Sequence, residues 1–76
     1  MTNAERMETI IKLTEIYNDW DERNVFINPK YIMSMELVDM SHAPHPKAKN
    51  YTYLRLTDKD SYRVVELPEQ IIEMLK

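Results

Sequence analysis

The stretch 51–76, YTYLRLTDKDSYRVVELPEQIIEMLK, decides the fold. Residues 51–57 alternate aromatic or charged side chains with Thr52, Leu54 and Leu56, the period of a half-buried strand. Thr57, Asp58, Lys59 and Asp60 interrupt the pattern, and residues 61–66 resume it, so a hairpin is expected. Pro68 follows and suits the first turn of a helix, where its missing N–H costs nothing. Ile71, Ile72 and Leu75 are then the apolar side of a short helix over 68–76. Leu54, Leu56, Val64 and these three residues are the expected core of this ending. A helix so short is not stable alone and must pack on the sheet or on a second copy.

Working back towards the N-terminus, 41–50 (SHAPHPKAKN) has two prolines and no large apolar side chain, and is expected to be a long loop. Residues 30–40 alternate Tyr31, Met33, Met35 and Leu37 against Ile32, Ser34, Glu36 and Val38. This predicts a strand, with the first set, or part of the second, facing inward. Pro29 fixes its own φ and keeps Asn28 out of the helical region, so Asn28-Pro29 reads as a turn after a short strand at Val25–Ile27. NDWDERN (18–24) is rich in chain-breaking residues and reads as a turn or loop. Residues 4–17 fit two templates. Apolar residues recur at helical spacing from Ala4 to Tyr17, yet TIIKLTEIY is β-branched and also alternates. A short N-terminal helix and a strand both stay open here.

The expected fold is a small α+β domain over 1–76, a twisted antiparallel sheet of four or five strands with a C-terminal helix. At 76 residues there is room for one marginal core and no second domain. There is no cysteine, so no disulfide, thiolate site or cysteine nucleophile. Glycine is also absent, which excludes glycine-rich phosphate loops and leaves the turns to Asn, Asp and Pro. No cofactor is expected. Self-association is the remaining aid to stability. No apolar run approaches a membrane span, and the first ten residues lack the basic-then-apolar pattern of a signal peptide, so a cytoplasmic location is expected.

The pattern IKLTEIY, then VFINPKYI, then LRLTDKDSYRVVELPEQIIEML resembles the small flagellar proteins of the FlbD/SwrD type. The matching positions are Leu13 and Thr14; Phe26, Ile27, Asn28 and Ile32; and Val64, Glu66, Ile71 and Leu75. The resemblance spans most of 10–75. It implies a β-rich fold, a strand at 10–17 and a flagellar or motility accessory role. The chain departs from that pattern in a longer first turn (NDWDER), a longer middle connection (DMSHAPHPKAKN) and an extra N-terminal tail. Small phage and prophage proteins also use β-rich domains of this size to bind host proteins.

The chemistry-bearing residues are few. His42 and His45 form H-x-x-H, but a structural zinc site needs four ligands and only Asp39 is near in sequence. They are expected to be two solvated loop histidines, and no metal is expected. Glu15, Asp19, Asp21 and Glu22 surround Trp20, which reads as a loop anchor in the core or an exposed anchor for a partner. Carboxylate pairs need a pocket to do acid–base work, and a domain of this size leaves little room for one, so the chain is not expected to be an enzyme. Met33, Met35 and Met40 suit an irregular core or an adaptable surface.

Residues 41–57 contain no acid. They hold His42, His45, Lys47, Lys49 and Arg55 interleaved with Tyr51 and Tyr53. Strand alternation puts Tyr51, Tyr53 and Arg55 on one face and Thr52, Leu54 and Leu56 on the core face. Basic residues among aromatics can bind single-stranded nucleic acid, but a net charge of −3 argues against that. Tyr and Arg are enriched in protein hot spots. The expected function is a non-catalytic protein-interaction module, an adaptor or inhibitor in a bacterial or phage setting that binds a larger protein. Its candidate contacts are Tyr51, Tyr53, Arg55, His42, His45, Lys47, Lys49 and Trp20.

Overall fold

The computed structural model describes residues 10–76. Five strands form one antiparallel sheet: β1 (Ile11–Tyr17), β2 (Asp21–Ile27), β3 (Ile32–Val38), β4 (Tyr51–Leu56) and β5 (Ser61–Val64), followed by helix α1 (Pro68–Met74). The spatial order is β2-β1-β5-β4-β3. This is the α+β class expected, and 41–50 lies in the irregular connection between β3 and β4.

Local choices explain each element. Over 11–17 the strand wins, because every residue of β1 pairs with β2, from Ile11↔Ile27 to Tyr17↔Asp21. The part of the helical alternative before residue 10 lies outside the described residues. The expected loop over 18–24 shrinks to a turn of Asn18, Asp19 and Trp20, and β2 begins at Asp21, well before the expected Val25. Asn18 and Trp20 take positive φ (49° and 67°), which closes the hairpin in three residues. Asp21, Glu22 and Arg23 then sit exposed at a sheet edge, where charge is tolerated and discourages further pairing. Not every turn falls to Asn, Asp or Pro, since Trp20 and Lys59 (φ 77°) adopt the left-handed region themselves.

Pro29–Tyr31 is a 3-10 turn rather than strand, and Asn28 caps it, its side-chain oxygen accepting the Lys30 N–H at 3.0 Å. This link joins the two edge strands of the sheet. In a flat sheet those edges would lie four spacings of about 4.8 Å apart. A link of four residues that includes a 3-10 turn, rising only about 2 Å per residue, cannot cover that distance. The sheet is therefore open but strongly coiled, bringing β2 and β3 towards each other.

A register shift between Ile32 and Ser34 breaks the alternation expected for β3. Beyond the bulge, Met35 lies opposite Leu54 and Leu37 opposite Thr52, while Ile32 lies opposite Leu56. Ile32 and Met35 pack on the core. Tyr31, Met33 and Leu37 do not share that burial; Met33 is 60% exposed at the bulge.

The core is Leu13, Ile27, Leu54, Leu56, Val64 and Ile71. Ile71 is the helix residue that enters it; Ile72 (47% exposed) and Leu75 stay at the surface, so α1 contributes one anchor where three were expected. The helix starts as expected on Pro68, and the Leu67 N–H that would be orphaned donates to Gln70 Oε1 at 2.7 Å. The Glu66 side chain accepts from both the Thr14 backbone N–H (2.9 Å) and the Thr14 hydroxyl (3.0 Å), and its carbonyl accepts the buried Thr52 hydroxyl at 2.7 Å. The segment leading into α1 is thereby tied to both β1 and β4.

Candidate aromatic and basic interaction face

The side of the sheet away from the helix carries Tyr51, Tyr53 and Arg55 on β4, and Ser61 and Arg63 on β5, by the pairing Tyr53↔Arg63 and Arg55↔Ser61. The expected split of β4 holds: Thr52, Leu54 and Leu56 are buried and the other three are half-buried or exposed. The exposed face is a ladder of rings and guanidinium groups. Arg63 lies 6.0 Å from the Tyr51 ring centroid, Arg55 lies 5.8 Å from that of Tyr53, and Trp20 meets Tyr51 edge-on at 6.0 Å. The Tyr53 hydroxyl donates to Ser61 Oγ at 3.1 Å, which fixes the ring. Both guanidinium–ring distances lie at the outer reach of a cation–π contact, so the two guanidinium groups stand beside the rings.

The eight residues anticipated for this surface divide into groups. Trp20, His45, Lys49 and Tyr51 come together, but in contacts internal to the protein. His45 Nε2 donates to Asp19 Oδ1 at 2.8 Å while its Nδ1 accepts the Lys47 N–H at 3.0 Å. Lys49 pairs with Glu22 at 2.9 Å, and the Trp20 and His45 rings lie 6.1 Å apart. The β3–β4 connection is thus clasped onto the β1–β2 turn, and Trp20 is half-buried between His45 and Tyr51 rather than in the main core or free at the surface. Ile16, 2% exposed, points to this same side and lies outside the main core cluster.

His45 is therefore not the solvated residue expected, because Asp19 and the Lys47 N–H satisfy both ring nitrogens; His42 is exposed. Lys47 is also exposed on the loop. Asp39 opens the loop by accepting the Ser41 N–H at 2.9 Å, and that bond, with the Ser41 side chain, holds its carboxyl below the usual range. No group of three or more His, Cys, Asp or Glu that could hold a metal occurs among the described residues.

Tyr53 and Arg55 remain, further along the face. They line an open cleft of about 380 Å³ with Ser61 and Leu56, completed by Met33 from the bulge of β3 and by Thr57, Lys59 and Asp60 from the β4–β5 turn. Sequence reasoning missed Met33, Lys59, Ser61 and Arg63 as parts of this surface. Arg63 and Ser61 were accessible to it: once 51–57 and 61–66 are read as a hairpin, residues across from Tyr53 and Arg55 share their face. Met33 was not, because the bulge that turns it outward has no signature in the local residues.

The residues that carry the FlbD/SwrD resemblance have roles in this scaffold. Leu13, Ile27, Val64 and Ile71 are core, Thr14 and Glu66 bond each other, and Asn28 caps the 3-10 turn. Phe26 (66% exposed) and Leu75 are on the surface. No helix among the described residues is long and apolar enough to cross a membrane. No protein-family model matches the chain, and neither a curated protein nor a solved structure matches it.

Proposed function

We propose that the chain is a non-catalytic protein-interaction module, a small bacterial or phage adaptor or inhibitor that binds a larger protein through the tyrosine–arginine face. The observation that carries this reading is the cleft beside Tyr53 and Arg55, where an aromatic ring, a guanidinium group and the exposed thioether of Met33 adjoin. Tyr and Arg are the residue types that concentrate binding energy, and methionine adapts to a partner's shape. The clasped loop extends the same side of the sheet with His42 and Lys47 outward. The alternative, a flagellar or motility accessory role, is implied by the sequence resemblance, and the neighbouring genes would decide it.

The test is capture of a partner from bacterial lysate, followed by titration calorimetry of the isolated pair against Tyr53→Ala/Arg55→Ala. The double variant should fold and lose binding, since both side chains lie outside the core. Undiminished binding would remove this face from the interaction. The competing nucleic-acid reading has a separate signature, affinity that falls steeply with salt. Absence of binding to single- or double-stranded oligonucleotides at low ionic strength would eliminate it.

A further inference from the structure

Building on the interaction reading, we infer that the cleft takes an acidic–apolar peptide segment, a partner carboxylate between Arg55 and Lys59 with a neighbouring apolar side chain against Met33. Charge complementarity selects this occupant. The chain carries a net charge of −3, yet the cleft holds two cations against the single carboxylate of Asp60. Outside the cleft Arg23 pairs with Glu15, Lys49 with Glu22 and Lys76 with Glu73, while Lys12, Lys30 and Lys47 stand singly, in no ion pair among the described residues. Arg55, Lys59 and Arg63 form no ion pair among the described residues. Glu36 lies across from Tyr53, beside Arg55, and does not reach it within ion-pair distance.

The apolar half is Met33, which is 60% exposed at the β3 bulge and can move onto a ligand, while Leu56 borders the cleft from the strand end with its side chain 8% exposed. Lys59 sits in the left-handed region at φ 77°, a conformation that disfavours a non-glycine residue. The β4–β5 turn, with Lys59 N–H bonded to the Leu56 carbonyl at 3.2 Å, keeps that cation on the rim. Tyr53, its hydroxyl bonded to Ser61, lines the same cleft. The available volume matches a few peptide residues and not a folded element.

The experiment is an NMR titration of the full chain with three probes: a short peptide of glutamates flanking a leucine–phenylalanine pair, the same peptide with lysines for glutamates, and a short oligothymidine. The acidic peptide should shift the signals of Met33, Tyr53, Arg55 and Lys59, and the lysine peptide should not. Arg55→Glu/Lys59→Glu should weaken the acidic peptide by about tenfold or more, the equivalent of about 1.4 kcal/mol, and gain binding of the lysine peptide. If that variant misfolds, Arg55→Gln/Lys59→Gln replaces it, with the same loss expected and no gain. No shift with the acidic peptide at millimolar concentration overturns the inference, as does oligothymidine shifting these signals in its place. A protein partner that binds wild type and the charge-reversed variant equally would leave the interaction reading standing and remove the acidic segment.

Discussion

Thr14 and Glu66 are 52 positions apart in the chain and joined by two hydrogen bonds, from the Thr14 N–H at 2.9 Å and the Thr14 hydroxyl at 3.0 Å to the two carboxylate oxygens. The bonds are half-buried and link β1 to the segment that launches the helix. Glu66→Ala leaves a backbone donor without a partner and should destabilise the fold by about 1–3 kcal/mol. Glu66→Gln keeps an acceptor for the backbone N–H and should cost less. Urea unfolding of both variants gives the comparison, and equal stability of wild type and Glu66→Ala would show the tie to be idle.

The helix hangs on a single buried side chain. Ile71→Ala should cost about 2–5 kcal/mol, the range for a large-to-small change in a packed core, and Ile72→Ala, at an exposed position, well under 1 kcal/mol. Similar losses for the two in chemical denaturation would contradict the burial pattern.

Two non-glycine residues in left-handed turns should respond in opposite ways to glycine. Lys59→Gly relieves the steric cost and removes no buried contact, so stability should rise by up to about 1 kcal/mol. Trp20→Gly gains the same relief but loses the packing on His45 and Tyr51, and should be net destabilising. Thermal melts of the two variants separate strain from packing, and a stabilised Trp20→Gly would mean that the indole packs on nothing of consequence.

The clasped loop should depend on Trp20 more than on its ion pairs. Each of the pairs His45–Asp19 and Lys49–Glu22 has at least one well-exposed partner, and such pairs are worth about 0–1 kcal/mol each. Asp19→Asn/Glu22→Gln should leave hydrogen-exchange protection of the loop nearly intact, and Trp20→Ala should abolish it. The reverse order would assign the clasp to charge.

Tyr62 packs against the core, and burial, then the Asp60, Glu15 and Asp58 carboxylates, push its phenol above the ordinary value of 10.0. A folded-state value raised above the unfolded one means stability present below pH 10 and lost as pH rises through the folded value. Stability should therefore fall across that alkaline window, and Tyr62→Phe should flatten the fall. Absorbance titration should show the variant missing the tyrosine that ionises above the ordinary range; an unchanged profile would place Tyr62 in water.

Much of the architecture is written in local residues. Alternation in 51–57 and at the start of 61–66 with Asp58 and Asp60 between them dictates the last hairpin and both its faces, because a strand's period of two leaves no choice once Thr52, Leu54 and Leu56 are inward. The second strand nevertheless ends at Val64, two residues short of the expected 66. Pro68 marks the helix start for an equally local reason, its fixed φ and missing donor. Tertiary structure decided the rest. Residues 11–17 satisfied helix and strand alike until β2 supplied seven cross-strand partners, and β2 itself was masked by charges that only an edge position tolerates. The phase of β3 turned on a bulge set by its pairing with β4. The candidate site divides the same way. Tyr53 and Arg55 are neighbours on one strand face and follow from its period. Met33 and Lys59 join them, and Trp20, His45 and Lys49 are drawn into the clasp, through contacts between segments far apart in sequence, which no local periodicity encodes.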